Sequence, residues 1–197
     1  MTRISDRFRL IDQIKAIGKG SFSANEGIAF QVRKIVEGVA YGCVVSSEAG
    51  SKAKIRSARG HWNAKNVLNE LDKKSCLSLP NPSELRAASE EEAQRDAVKW
   101  TIEGQPSKCL SKKQIIDIYE HTHSWLHELN PFYNDSKTFL DANEETLWAA
   151  SDRLREMLSR HFIAVMGEAF FCTLFDEETG TTKVLPLSRS PEYAQTH

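Results

Sequence analysis

One apolar stripe constrains this chain more than any other feature. Ala29, Phe30, Val32, Ile35, Val36, Val39 and Ala40 recur at intervals of mostly three and four, and the pattern continues through about residue 46. Such spacing puts them on one broad face of a long helix, and a face that wide is covered only by several neighbouring elements. The stripe therefore reads as packed core, with the rest of the fold arranged around it. Gly38, Ala40, Gly42 and Cys43 lie along the same helix. Small residues there predict close approach of a neighbour, despite the helix penalty of glycine.

The remaining elements follow from periodicity and punctuation. Ile4, Phe8, Leu10, Ile11 and Ile14 predict a short amphipathic helix over 4–17, stopped by Gly18-Lys19-Gly20. Ser23 or Asn25 is suited to cap the central helix, and His61-Trp62 opens a third one through Ala64, Val67, Leu68 and Leu71. Residues 78–110 hold two nearby prolines, an acidic run and the alternation Val98-Lys99-Trp100-Thr101-Ile102, which suit a connector with one short element, strand or helix. Ser111 with Gln114 forms a capping box for a helix that buries Ile115, Ile116, Ile118, Tyr119, Trp125 and Leu126. Another helix covers about 142–160 through Leu147, Trp148, Leu154 and Leu158. The period then changes: aromatic and β-branched runs separated by Gly167 and by Asp176-Glu177-Glu178-Thr179-Gly180 predict a β-hairpin over about 162–187, with room for a third strand. The expected class is mainly α (α+β), a helical bundle with a C-terminal antiparallel β-hairpin. One domain over 1–189 and a disordered tail over 190–197 are expected.

A net charge of -1 argues against a surface coated in basic residues, although a local patch depends on placement alone. Such a patch exists. No acidic residue stands between Glu48 and Glu70, while Lys52, Lys54, Arg56, Arg59 and Lys65 fall inside. A basic loop running into a helix N-terminus suits phosphate, because free backbone amides add to the charge. The plainer alternative is a solvated loop balanced by the acidic run Glu90–Glu92. Cys43, Cys76, Cys109 and Cys172 show no CxxC spacing and read as reduced, mostly buried thiols. With no signal-peptide core and no segment of about 20 apolar residues, the expectation is a cytoplasmic protein without a membrane partner.

Potential chemistry concentrates in Tyr119–Tyr133, which holds His121, His123 and His127 and then stops at Asn130-Pro131. Spacings of three, four and seven bring Glu120, His123 and His127 to one helical face. That trio resembles three protein ligands of an open zinc site. HExxH is absent, however, and a di-iron centre needs a second Glu-x-x-His, so no metal or other cofactor is expected. The plainest reading is a polar helix face opposite Ile116, Tyr119 and Leu126.

Three segments together, QVRKIVEGVAYGC (31–43), HWNAKNVLNELDKK (61–74) and IYEHTHSWLHELNPF (118–132), resemble a group of uncharacterised bacterial HEPN-like proteins (higher eukaryotes and prokaryotes nucleotide-binding). The resemblance spans roughly residues 25–175 and rests on helix pattern and short motifs. It implies a helical domain that pairs into a homodimer. It also implies a metal-independent endoribonuclease in which an arginine and, four to six residues on, a histidine act at a helix end in a shared cleft. The ribose 2′-hydroxyl attacks the adjacent phosphate, which suits a histidine titrating near neutrality and an arginine facing the developing charge.

By that resemblance His127, followed by Asn130-Pro131, takes the motif histidine's position, and Asn130 would orient it. His121 stands where the arginine belongs, so the motif is degenerate: imidazole is cationic only part of the time and lacks the guanidinium fork. Lys52, Lys54, Arg56 and Arg59 would steer RNA. Two literal arginine–histidine spacings occur elsewhere, Arg56 with His61 and Arg155 with His161; with six histidines, about one such match arises by chance. The alternative is a non-catalytic interaction module or adaptor of a bacterial defence or toxin system, docking a protein partner through exposed aromatics around Trp100, Trp125 or Trp148.

Overall fold

The computed structural model describes residues 2–48, 63–96, 98–127, 136–165 and 168–187. Helix α1 (Thr2–Lys15) buries Ile4, Phe8 and Ile11 and ends before Gly18, whose φ of +100° suits glycine. Helix α2 (Phe22–Glu48) follows, and Ser21 rather than Ser23 or Asn25 caps it, its hydroxyl accepting from the Ala24 amide. Val32, Ile35, Val36 and Ala40 on α2 are fully buried. Phe30, read into the same stripe, is instead 45% exposed. Helix α2 is the hub, touching α1, the later helices and the sheet. A side chain at Gly27 would meet Ile14 at 3.2 Å, and one at Gly38 would meet Ile4 at 3.4 Å. Gly27 and Gly38 thus serve the α1–α2 contact, while Gly42 faces open space.

Helix α3 (Ala64–Lys73) starts later than the His61-Trp62 opening, because Asn63 caps it: its side chain accepts from the Lys65 and Asn66 amides. After it come β1 (Asn81–Ala87), α4 (Glu90–Asp96), β2 (Trp100–Gly104) and a short 3₁₀ turn (Pro106–Lys108). Helix α5 (Lys112–Trp125) carries the expected Ser111–Gln114 capping box. Helix α6 (Ser136–Ser159) begins earlier than the predicted 142 and runs directly into β3 (Arg160–Val165), followed by β4 (Glu168–Thr173) and β5 (Lys183–Leu187).

The expected α+β class is present, but the C-terminal strands are more than a simple hairpin: among the described residues β3, β4 and β5 belong to a five-stranded antiparallel sheet in the order β2-β1-β3-β4-β5. The supposed connector supplies two of those strands. Strand β1 joins β3 through two positions, Asn81 opposite Phe162 and Pro82 opposite His161. Pro82 sits near the start of its strand and Pro186 lies in the edge strand β5, where a missing amide is tolerated. All four cysteines are free thiols, but only Cys43 and Cys172 are buried; Cys109 is exposed. The predicted tail 190–197 lies outside the described residues. Among the described residues no helix is long and apolar enough to cross a membrane.

Candidate functional site

Helix α5 positions all three clustered histidines. Its inner face, Ile115, Ile118, Tyr119, Thr122 and Trp125, is buried against the core. That leaves Glu120 and His123 outward and turns His121 toward α6. On α2, Arg33 stacks on the Tyr119 ring, 4.2 Å from its centroid, and donates to the hydroxyl at 2.6 Å. The central helix's arginine is therefore spent on holding α5.

The structure brings His123 and His127 together. Nδ1 of His123 and Nε2 of His127 lie 3.2 Å apart, one ring donating and the other accepting. The ring centroids are 4.0 Å apart with planes inclined at 68°. Both side chains are exposed. One turn of spacing explains the contact, and the Leu126 amide donating to the His123 carbonyl at 3.2 Å closes the helix there.

Glu120 does not join them. It forms an ion pair with Lys65 on the first turn of α3. The zinc-like trio read from helical spacing is therefore broken by a partner on another element, and among the described residues no group of three or more His, Cys, Asp or Glu converges. The same ion pair ties the first turn of α3 to α5, one turn before His123. Lys52, Lys54, Arg56, Arg59 and Asn130 themselves lie outside the described residues.

His121 lies apart from the pair. It is half-buried between α5 and α6, and its Nε2 is buried without a hydrogen-bond partner among the described residues. Burial lowers its pKa, against an opposing pull from the Asn143 carbonyl. Burial disfavours the charged ring, so His121 is ill suited to supply the standing charge expected from a residue in the arginine's place. It borders a groove of about 540 Å³ whose other wall carries Glu145 and Arg153. Arg153 is a cation that sequence spacing did not single out, because its proximity to His121 depends on how α5 and α6 pack.

Arg155 and His161, matched by spacing, are both structural and serve different contacts. The Arg155 guanidinium stacks 4.8 Å from the Phe8 ring centroid, donates to the Phe8 carbonyl at 3.1 Å and pairs with Asp12. His161 is 1% exposed on β3, 3.0 Å from the Leu158 carbonyl through Nδ1. Replacing Arg155 with alanine is expected to lower stability by about 1–3 kcal/mol, the usual cost of removing hydrogen bonds from a charged group. Urea unfolding measures this.

A second cavity, about 230 Å³, has Arg160 and Glu84 in its wall. Arg160 forks between Glu84 at 2.8 Å and Glu177, tying β1 and β3 to the turn before β5. Of the tryptophans proposed as surface anchors, Trp125 is fully buried, and Trp148 donates to Asn25 at 2.7 Å with Lys15 and Lys19 over its ring. Trp100 alone of those three is exposed, at 58%. Compared with known family models, curated proteins and solved structures, the chain has no significant match.

Proposed function

We propose that the chain is an RNA-directed, HEPN-like protein whose acid–base chemistry resides in the His123–His127 pair. The observation that carries this reading is the contact between two exposed imidazoles 3.2 Å apart at the end of α5. Two neighbouring imidazoles, one to take a proton and one to give one, are suited to phosphodiester transfer. The neutral ring takes the 2′-hydroxyl proton as that oxygen bonds to phosphorus. The protonated ring gives its proton to the departing 5′-oxygen as the P–O bond breaks, leaving a 2′,3′-cyclic phosphate. No metal is required for these steps. Phosphate charge is assigned to Lys52, Lys54, Arg56 and Arg59, the basic segment that precedes α3 in sequence. Asn130 orients His127, and His121 with Arg153 forms a secondary contact in the neighbouring groove. A homodimer sharing one cleft is part of the reading.

The test is cleavage of labelled tRNA and single-stranded RNA in EDTA. Wild type should leave cyclic phosphate ends, and His127→Ala should lose at least about 100-fold of the rate, within the usual range for an acid–base group. Equal rates for the two proteins exclude His127 from the mechanism.

One observation favours the second reading, an interaction module. Trp100 and Ile102 are exposed on the same face of the edge strand β2, opposite Ala87 and Leu85 on β1. An apolar stripe beside an unpaired strand edge suits a protein partner. A chain that cleaves no RNA while properly folded shifts the assignment to this surface.

A further inference from the structure

We infer that the His123–His127 pair is a two-point binding site for a divalent transition-metal ion of the Zn²⁺ or Cu²⁺ type. The geometry supports this first. Two bonds of about 2.0–2.1 Å from a metal to imidazole nitrogens separate those nitrogens by about 2.9 Å at a right angle and about 3.4 Å at the tetrahedral angle. The observed separation, 3.2 Å between Nδ1 of His123 and Nε2 of His127, falls between the two. Once the donor nitrogen gives up its proton, to its ring's other nitrogen or to solvent, small side-chain rotations turn both lone pairs toward a shared point. The rings already meet edge to face, so the helix need not distort to bring them together.

The surroundings agree with the geometry. Both imidazoles are exposed, so a hydrated ion reaches them without opening the core. They sit at the C-terminal end of α5, where the helix dipole and its last carbonyls favour a cation. Glu120, one turn before His123, is held by Lys65, and no third side chain among the described residues completes a closed cage. The other positions on the ion therefore go to water, as in an open, exchangeable site rather than a folding one. Ligand chemistry sets the selectivity. Imidazole suits Zn²⁺, Cu²⁺ and Ni²⁺, with Cu²⁺ tightest, whereas Mg²⁺ demands oxygen and is not taken. Protons compete for the same lone pairs, so binding weakens in acid.

A consequence rests on the proposed function: an ion that occupies both lone pairs removes the base and the acid together. Zn²⁺ then inhibits RNA cleavage that proceeds in EDTA, and Mg²⁺ leaves it unchanged.

The experiment is calorimetric titration of the untagged full chain with ZnCl₂ and, separately, MgCl₂, in a non-chelating buffer at pH 7.5. Wild type should bind one Zn²⁺ and give no heat with Mg²⁺. His123→Ala and His127→Ala should each weaken Zn²⁺ binding at least tenfold. Both positions are exposed, and far-UV circular dichroism checks that each variant is folded. Cys109→Ser should leave the titration unchanged, which removes the exposed thiol as the ligand. Absence of Zn²⁺ binding by wild type overturns the inference, as does undiminished binding by the His123→Ala/His127→Ala double variant. Because the readout is binding, a chain that takes Zn²⁺ yet cleaves no RNA keeps this site and loses only the nuclease reading. Cleavage without Zn²⁺ binding does the reverse.

Discussion

Replacing Trp125 with alanine should lower the unfolding free energy by about 3–5 kcal/mol, the usual cost of deleting a buried large aromatic side chain. The indole is 0% exposed, its ring centroid 5.6 Å from Phe22 and 4.7 Å from Phe139, the latter edge to face. Those three rings join the start of α2, the end of α5 and the early part of α6. No one of these helices closes that corner alone, so the cavity has little scope to collapse. Typical domains are stable by about 5–15 kcal/mol, so this single change removes a large share. The indole also carries a liability: its Nε1 is buried without a hydrogen-bond partner among the described residues. Trp125→Phe keeps an aromatic ring and deletes the orphaned donor, so the smaller cavity is offset and the loss should be less than half that of alanine. Urea unfolding of the three proteins measures both. A Trp125→Ala variant within about 1 kcal/mol of wild type would show that the corner repacks. Since His123 and His127 flank this residue on the same end of α5, the alanine variant should also lose the ordered contact between them.

What was legible in the sequence followed from local pattern. The stripe on α2, the stop of α1 at Gly18 and the α5 capping box each depend on residues within a few positions of one another, and each is present in the fold. The alternation at β2 leaves strand and helix open, and β1 was not legible because its place in the sheet is set by distant partners. Asn81 and Pro82 pair with residues some 80 positions on, and β1 does not alternate cleanly, with Pro82 and Ser83 both buried in succession. Two prolines nearby then argued for a connector. The burial of Phe30 failed for a related reason: helical spacing marks a broad face, and which margin is covered depends on the neighbours.

The site divides along the same line. The meeting of His123 with His127 is a property of one helical turn, and spacing alone anticipates it. Glu120 has the same credentials by spacing, yet Lys65 takes it from 55 positions away in sequence. His121 was read by motif analogy as the arginine's substitute, but burial between α5 and α6 decides its charge, and burial is a tertiary quantity. The Arg155–His161 match carries the weight that chance gives it: correct spacing joins two residues that the fold turns to different tasks.

Stability should fall as pH drops from about 7.5 to 5, with His161 the main cause. The ring is 1% exposed, and burial pushes its pKa down to about 4, against the opposing pull of the Leu158 carbonyl. In the unfolded chain a histidine titrates near its ordinary value of about 6.5. Between those two values the unfolded state binds the proton and the native state does not. Stability therefore rises with pH across that window: the contribution is complete above about pH 6.5 and is lost progressively toward pH 4. A shift of this size is worth about 3 kcal/mol in all, and roughly 2 kcal/mol of it is gone by pH 5. His121, also lowered by burial, acts in the same direction. Glu92, Asp96 and Asp176, whose pKa values are held down by their partners, lose their contributions only below the ordinary carboxylate range, so pH 5 to 7.5 isolates the histidines. His161→Gln retains a donor for the Leu158 carbonyl but cannot titrate. Urea unfolding at pH 7.5 and pH 5 should show wild type losing stability between them and the glutamine variant losing much less. If the variant keeps the full wild-type slope, the titrating group lies elsewhere. A slope halved rather than removed assigns the remainder to His121, and His121→Gln in the same background should then flatten it.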